Sequence, residues 1–290
     1  MSHFIPFCSA TLCALSLATA AQAQSFHATA DVWMQTVNPS GGIEGPETCN
    51  NGGTELCATS GGSGVYVGSG MTFENGHQVF LDFTYDEHEE TNAYTPSRND
   101  DARYHGLGLH YTMGSEHAPW GLFATWVDAN NHADGDQGGP LYGLGAEKAW
   151  GNTSVQLGYM HMADDGLDRD HDGVEDMAYV NLSHSRALFK GEFTGNLAVG
   201  FGDFEESSDE DDGEWLQLGL RYQQPISDKL DWFVAYQGDF VRVGRTRIDE
   251  QATFNTLKFG LSLSLGNKKR SRFKTPNFRT PIVNAGEMNS

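Results

Sequence analysis

Asp168, Asp170 and Asp172 stand at alternate positions ahead of Gly173, the spacing of the first half of a calcium loop: oxygen ligands in step, then a residue that allows a sharp turn. Tyr179 occupies the place where such a loop carries its bidentate Glu, so a Ca2+ ion held here would complete its shell from Glu175, Asp176 or another loop. The acidic run 205–212 lacks that alternation and reads as a solvated tip that gathers divalent cations near anionic headgroups. No cofactor is required by any other motif. Cys49 and Cys57 lie in a stretch rich in Gly, Asn and Thr, and in an oxidising compartment this pair is expected to bridge. Nucleophilic catalysis needs an oriented imidazole and an acid within hydrogen-bond reach. Asn181, Ser183 and His184 have suitable types, but adjacent strand residues point to opposite faces, which separates Ser183 from His184. Asp82 and His110 meet only if their strands bring them together. No nucleophile, His and acid set follows from the spacing, and the sequence reads as that of a non-enzyme.

The elements that carry or flank these residues are strands. From 189 to 201 the odd positions are Phe189, Gly191, Phe193, Gly195, Leu197, Val199 and Phe201, while the even ones are Lys190, Glu192, Thr194, Asn196, Ala198 and Gly200. That is period two, with one apolar and one polar face. An acidic loop is expected at 203–213, after which Leu216, Leu218, Leu220 and Tyr222 face one way and Gln217, Gly219 and Arg221 the other. The same alternation recurs along the chain and predicts about twelve strands, the one around Ala178, Val180 and Leu182 being the weakest. The connections alternate in length. Long ones fall at 37–62, 87–102, 129–140, 163–176, 203–213 and 244–252, and short ones near Asn75-Gly76, 114–119, Gly151-Asn152, 185–188 and 223–229. A soluble sandwich with Greek-key links does not sort its connections this way, whereas an up-and-down barrel carries long loops at one rim and tight turns at the other. Tyr85, Trp120, Trp126, Trp150, Tyr222 and Trp232 fall at strand ends, where interfacial girdles lie.

Composition agrees with strands rather than spanning helices. The 290 residues are 38% hydrophobic and 11% aromatic with 35 glycines, and the mean hydropathy is -0.47. A formal net charge of -21 excludes a nucleic-acid backbone as partner, since phosphate binding needs clustered bases. Residues 1–23 read as a signal peptide: an apolar, small-residue run over 7–20 is followed by Ala21-Gln22-Ala23, with cleavage before Gln24. The barrel then occupies 24–266. Residues 267–290 form a basic tail with Lys268, Lys269, Arg270, Arg272, Lys274 and Arg279, expected on the periplasmic side.

On this pattern of strands and connections, the chain resembles the outer-membrane β-barrel proteins of Gram-negative bacteria, porin-like pores among them. The resemblance implies an all-β fold, an up-and-down antiparallel transmembrane β-barrel of about twelve strands in the outer membrane, with membrane lipids as partners and an oligomeric state left open. The strand 257–265 is similar to the closing strand of that group, although a tail follows it here. With the apolar face on lipid, the lumen-lining set by parity is Asp31, Asp82, Glu147, Lys190, Glu192, Arg221, Asp231, Asp239 and Lys258. Acids outnumber bases, which favours cations. Inward glycines, among them Gly64, Gly68, Gly108 and Gly143, are expected to leave room for a pore. The function expected is passive diffusion of small hydrophilic solutes or ions, with cations ahead of anions. A structural or adhesive surface barrel and a barrel enzyme acting on lipids are the alternatives.

Overall fold

The computed structural model describes residues 23–41, 60–91, 99–115, 118–131, 135–162, 173–206, 209–244 and 249–266. They form β1 (Ala23–Gly41), β2 (Ser60–Phe73), β3 (Gln78–Thr91), β4 (Asn99–Ser115), β5 (Ala118–Asn131), β6 (Gly135–Trp150), β7 (Thr153–Met162), β8 (Gly173–Leu188), β9 (Gly191–Glu206), β10 (Asp209–Pro225), β11 (Leu230–Gly244) and β12 (Asp249–Gly266). Every strand pairs antiparallel with its sequence neighbours, and β1 pairs with β12 to close the sheet. The fold is the expected up-and-down barrel.

The outer face is apolar around nearly the whole circumference. Val32, Val67, Phe83, Leu107, Leu122, Leu144, Leu157, Val180, Leu197, Leu218 and Leu261, from β1 to β10 and from β12, all stand exposed on it. A soluble protein does not leave so many large apolar side chains uncovered, and lipid is the solvent that suits them. Trp120, Trp150, Tyr222 and Trp232 ring the end that carries the tight turns, and Tyr85, Trp126, Tyr142 and Tyr159 lie toward the opposite end. Tyr222 and Trp232 meet edge to face at 5.5 Å. Both ends of the barrel chain, Ala23 and Gly266, are on the turn side, which is the periplasmic side of such a barrel.

The turns follow from local chemistry. At Asn75-Gly76 the Phe73 carbonyl accepts from Gly76 N, the Phe73 N–H donates to His77, and Gly76 adopts φ 81°, a conformation that favours glycine. This is the three-residue hairpin loop with a left-handed closing residue. The β10–β11 turn is held by Ser227 Oγ, which accepts from Leu230 N at 3.2 Å.

Stagger sets the bore. Following the paired positions from Ser25 through Thr72, Gln78, Thr112, Gly121, Gly145, Gly158, Tyr179, Gly200, Trp215, Val241 and Ala252 leads back to β1 at Gly41, 16 residues farther along (41 − 25). For twelve strands, such a stagger tilts them by about 45° and gives a backbone radius of roughly 12 Å. Long inward side chains can therefore reach a strand three places away, as Arg221 reaches Asp31 and Lys258 reaches Asp86.

Two expectations are corrected here. The acidic segment 203–213 is not a long loop: β9 continues to Glu206 and β10 begins at Asp209, so the hairpin extends beyond the apolar belt. Strand pairing continues because neighbours in register satisfy each other's backbone groups even where the side chains are charged. Lys190 is not on the lumen wall. It lies in the turn between β8 and β9 beside Phe189, which has φ 52°, and both side chains are exposed. The cysteine pair, the acids Asp168, Asp170 and Asp172, residues 1–22 and the tail 267–290 fall outside the described residues.

The belt generates a depth-dependent expectation. Leu122→Arg, near the middle of the outer face, should cost about 2–4 kcal/mol of folding free energy in a bilayer, and Leu265→Arg, beside the strand end, about 0–1 kcal/mol. Urea titrations in phospholipid vesicles measure both. Equal costs at the two positions would show that this face does not lie along the membrane normal as described.

Candidate functional site in the barrel interior

Parity sends Asp31, Asp82, Glu147, Glu192, Arg221, Asp231, Asp239 and Lys258 inward, together with Asp86, which the alternation of β3 places two residues beyond Thr84. The interior brings several of these together across strands. Arg221 Nη1 on β10 donates to Asp31 Oδ2 on β1 at 2.8 Å, and its guanidinium carbon sits 3.8 Å from the centre of the Phe233 ring. Lys258 Nζ on β12 lies 3.4 Å from Asp86 Oδ2 on β3 and 4.6 Å from the centre of a Trp33 ring. Each pair skips the strands between its partners, so both ion pairs span part of the lumen rather than lying along its wall. Asp82 Oδ2 and His110 Nε2 lie 3.0 Å apart on β3 and β4, as those strands pair.

The remaining acids are held by neutral donors. Asp239 Oδ1 accepts from Trp215 Nε1 at 3.2 Å and Gln217 Nε2 at 2.7 Å, and its Oδ2 accepts from Gln237 Nε2 at 2.7 Å. Asp239 is 1% exposed, so these bonds replace water almost completely. Gln35 Nε2 donates to Asp86 Oδ1, and Trp33 Nε1 donates to Gln35 Oε1 at 3.1 Å, which links Trp33, Gln35, Asp86 and Lys258 in one chain. Asp231 accepts from Gln223, and Glu147 and Glu192 line β6 and β9 toward the turn side.

The wall is two-sided in character. On the loop-side half, β10 to β12 with β1 and β3 carry Gln217, Asp239, Lys258, Gln35 and Asp86, whereas β5 to β9 carry Phe123, Leu141, Met160, Met177 and Ala198, all buried. The expectation that inward glycines leave open space is corrected. Their missing side chains are filled by rings of neighbouring strands: a Cβ on Gly64 would stand 2.3 Å from Trp33, on Gly143 2.4 Å from Phe123, and on Gly260 2.7 Å from Phe233. The rings lie flat along the wall because glycine gives them the room, and Phe80, Phe123 and Phe233 are buried as a result. The wall at these glycines is thus lined by rings. Sequence reasoning passed over these inward aromatics, although their parity marks them: Trp33 and Phe233 each stand between two lipid-facing residues.

On the lipid face, His161 Nδ1 lies 2.9 Å from Asp176 Oδ1, Tyr159 donates its hydroxyl to the same oxygen, and Tyr142 meets the His161 ring edge to face at 5.2 Å. This carboxylate-oriented imidazole sits toward the loop-side ends of β7 and β8. His184, paired with Thr153 Oγ1 at 2.8 Å, also faces outward near the turn side, while Ser183 faces inward.

A closed, staggered barrel with an apolar outer belt, aromatic ends and a charged interior defines a Gram-negative outer-membrane β-barrel, and the outer membrane is where this chain resides. No protein-family model and no curated protein matches it in sequence. Among solved structures, it is similar to the COG4313 outer membrane channel from Pseudomonas putida F1, with 9% identity and a TM-score of 0.51 over 83% of this chain and 95% of that one. It also aligns with the toluene transporter TodX of Pseudomonas putida (9% identity, TM-score 0.42, 86% of this chain and 91% of that). The outer membrane phospholipase of Salmonella typhi, a dimer with bound calcium, aligns at 10% identity and TM-score 0.42 over 84% and 91%.

The packed acid at Asp239 carries its own test. Asp239→Ala removes the acceptor of three amide or indole donors inside the barrel and should cost about 3 kcal/mol, while Asp239→Asn, which keeps one oxygen, should cost less. The urea midpoints of the two variants in vesicles decide it; an unperturbed midpoint in the Ala variant would mean that water replaces the carboxylate freely.

Proposed function

We propose that the protein is a narrow outer-membrane channel for passive diffusion of small solutes, with cations ahead of anions, and that it works without catalysis or a required cofactor. The observation that carries this reading is the charge of the interior. Asp31, Asp82, Asp86, Glu147, Glu192, Asp231 and Asp239 line it, and among the described residues only Arg221 and Lys258 are inward Lys or Arg. A negative wall in a bore of this radius raises the local concentration of cations and repels anions. What crosses the lumen among the described residues is two ion pairs made by long basic side chains, Arg221 with Asp31 and Lys258 with Asp86. The fold shared with an outer membrane channel is compatible with this reading, although fold by itself does not fix function.

A second reading rests on the rim. The Tyr159, His161 and Asp176 cluster orients an imidazole toward lipid, which is what a lipid hydrolase needs of its base. The structural or adhesive alternative has no such feature in its favour among the described residues.

One experiment separates them. In planar bilayers under a KCl gradient, the purified barrel should show small conductance steps and a reversal potential of cation-selective sign, and Asp82→Asn with Glu192→Gln should bring that potential toward zero. Salt should weaken the preference by screening. Anion selectivity, or a silent bilayer together with lipid hydrolysis that His161→Ala abolishes, would replace the channel by the rim chemistry.

A further inference from the structure

The two ion pairs that span the lumen are built on one plan, and the plan is that of a receptor for cations. In each, an aromatic ring from the adjacent strand and a carboxylate from a strand three places away converge on a basic group, and the ring lies over a glycine of its own neighbouring strand: Phe233 over Gly260 and Trp33 over Gly64. An acid supplies the hydrogen bond and the Coulomb attraction, and the ring face supplies the quadrupole. Together they suit an organic cation, a guanidinium or an ammonium with an alkyl group to lay on the ring, better than a small metal ion, which holds its water. Arg221 and Lys258 fill the cages from their own strands.

The first cage is also incomplete. Asp31 uses Oδ2 for Arg221, while its Oδ1 is buried and has no hydrogen-bond partner among the described residues. A buried carboxylate oxygen without a donor is costly, and a second N–H group placed there removes that cost. Arg221 is held besides by Gln223, which accepts from its Nε at 3.1 Å, so the guanidinium has a second anchor on its own strand when it leaves Asp31.

We infer that the lumen holds two binding sites for small organic cations bearing a guanidinium or a primary ammonium group, Asp31 with Phe233 and Asp86 with Trp33. Arg221 and Lys258 are their tethered resident occupants. A permeating cation takes the place of the tethered group, which swings aside and returns behind it. This inference rests on the channel reading for the passage step and on side-chain geometry alone for the binding step.

The test is rescue of an emptied cage. Arg221→Ala should lower the thermal unfolding midpoint of the detergent-folded barrel, and millimolar methylguanidinium chloride should restore it relative to NaCl at equal ionic strength. Wild type and the Asp31→Asn/Arg221→Ala double variant should show no such restoration. Methylammonium should act in the same way on Lys258→Ala and not on Asp86→Asn/Lys258→Ala, which keeps the idea testable should the Arg221 variant fail to fold. In bilayers, Arg221→Ala should change the methylguanidinium-to-sodium permeability ratio by about tenfold. Equal responses of single and double variants overturn the cages, whatever current the barrel carries. Rescue in a barrel that carries no current confirms the cages as binding sites and removes transport.

Discussion

Closure of β12 onto β1 is the constraint from which the rest follows. In hydrocarbon, no water is present to satisfy a free strand edge, and each unpaired N–H or C=O costs several kcal/mol, so a sheet survives there only as a cylinder. Twelve strands with a stagger of 16 residues then leave no freedom in the bore. At that radius, long side chains reach strands three places away, and charged groups on the wall have to find partners there or beside them.

The solution combines glycine, aromatic rings and hydrogen bonds. Glycines on one strand accept the rings of the next, which keeps Trp33, Phe123 and Phe233 along the wall instead of across the lumen. Acids are never left bare where they are deepest: Asp239 is held by amide and indole donors, and Asp86 by Gln35 and Lys258. Burying a charge costs more than most single contacts return, so these networks have to be nearly complete. Among the described residues, Asp31 Oδ1, Asn181 Oδ1 and His27 Nε2 are departures from completeness.

Chemistry is divided between the two faces. Among the described residues, the lumen has carboxylates and two tethered bases, Arg221 and Lys258. The lipid face has an imidazole oriented by Asp176 at the rim, the equipment of a base or of a headgroup contact. Both arise from the same alternation, because a strand that offers every second residue to lipid can carry separate functions on its two sides.

The sequence by itself determined the barrel, the membrane-facing residues and most of the lumen set. Period two is a local property, and so are the turn residues: Val32, Leu122 and Leu261 face lipid, and Asp31, Asp82 and Asp239 face inward, simply from parity. It even paired Asp82 with His110 conditionally, since antiparallel neighbours need only a register to meet. The tertiary structure decided what no local rule contains. Lys190 lies in a turn because β8 and β9 end one residue to either side of the Phe189–Lys190 corner, and the acidic 203–213 hairpin stays paired because backbone bonds there outweigh its charge. Arg221 found Asp31 and Lys258 found Asp86 across intervening strands, contacts fixed by stagger and curvature. Glycines that read as empty space became seats for aromatic rings, because whether a missing side chain leaves a hole or a socket depends on the neighbouring strand, and that neighbour is set by register, a property of the closed sheet.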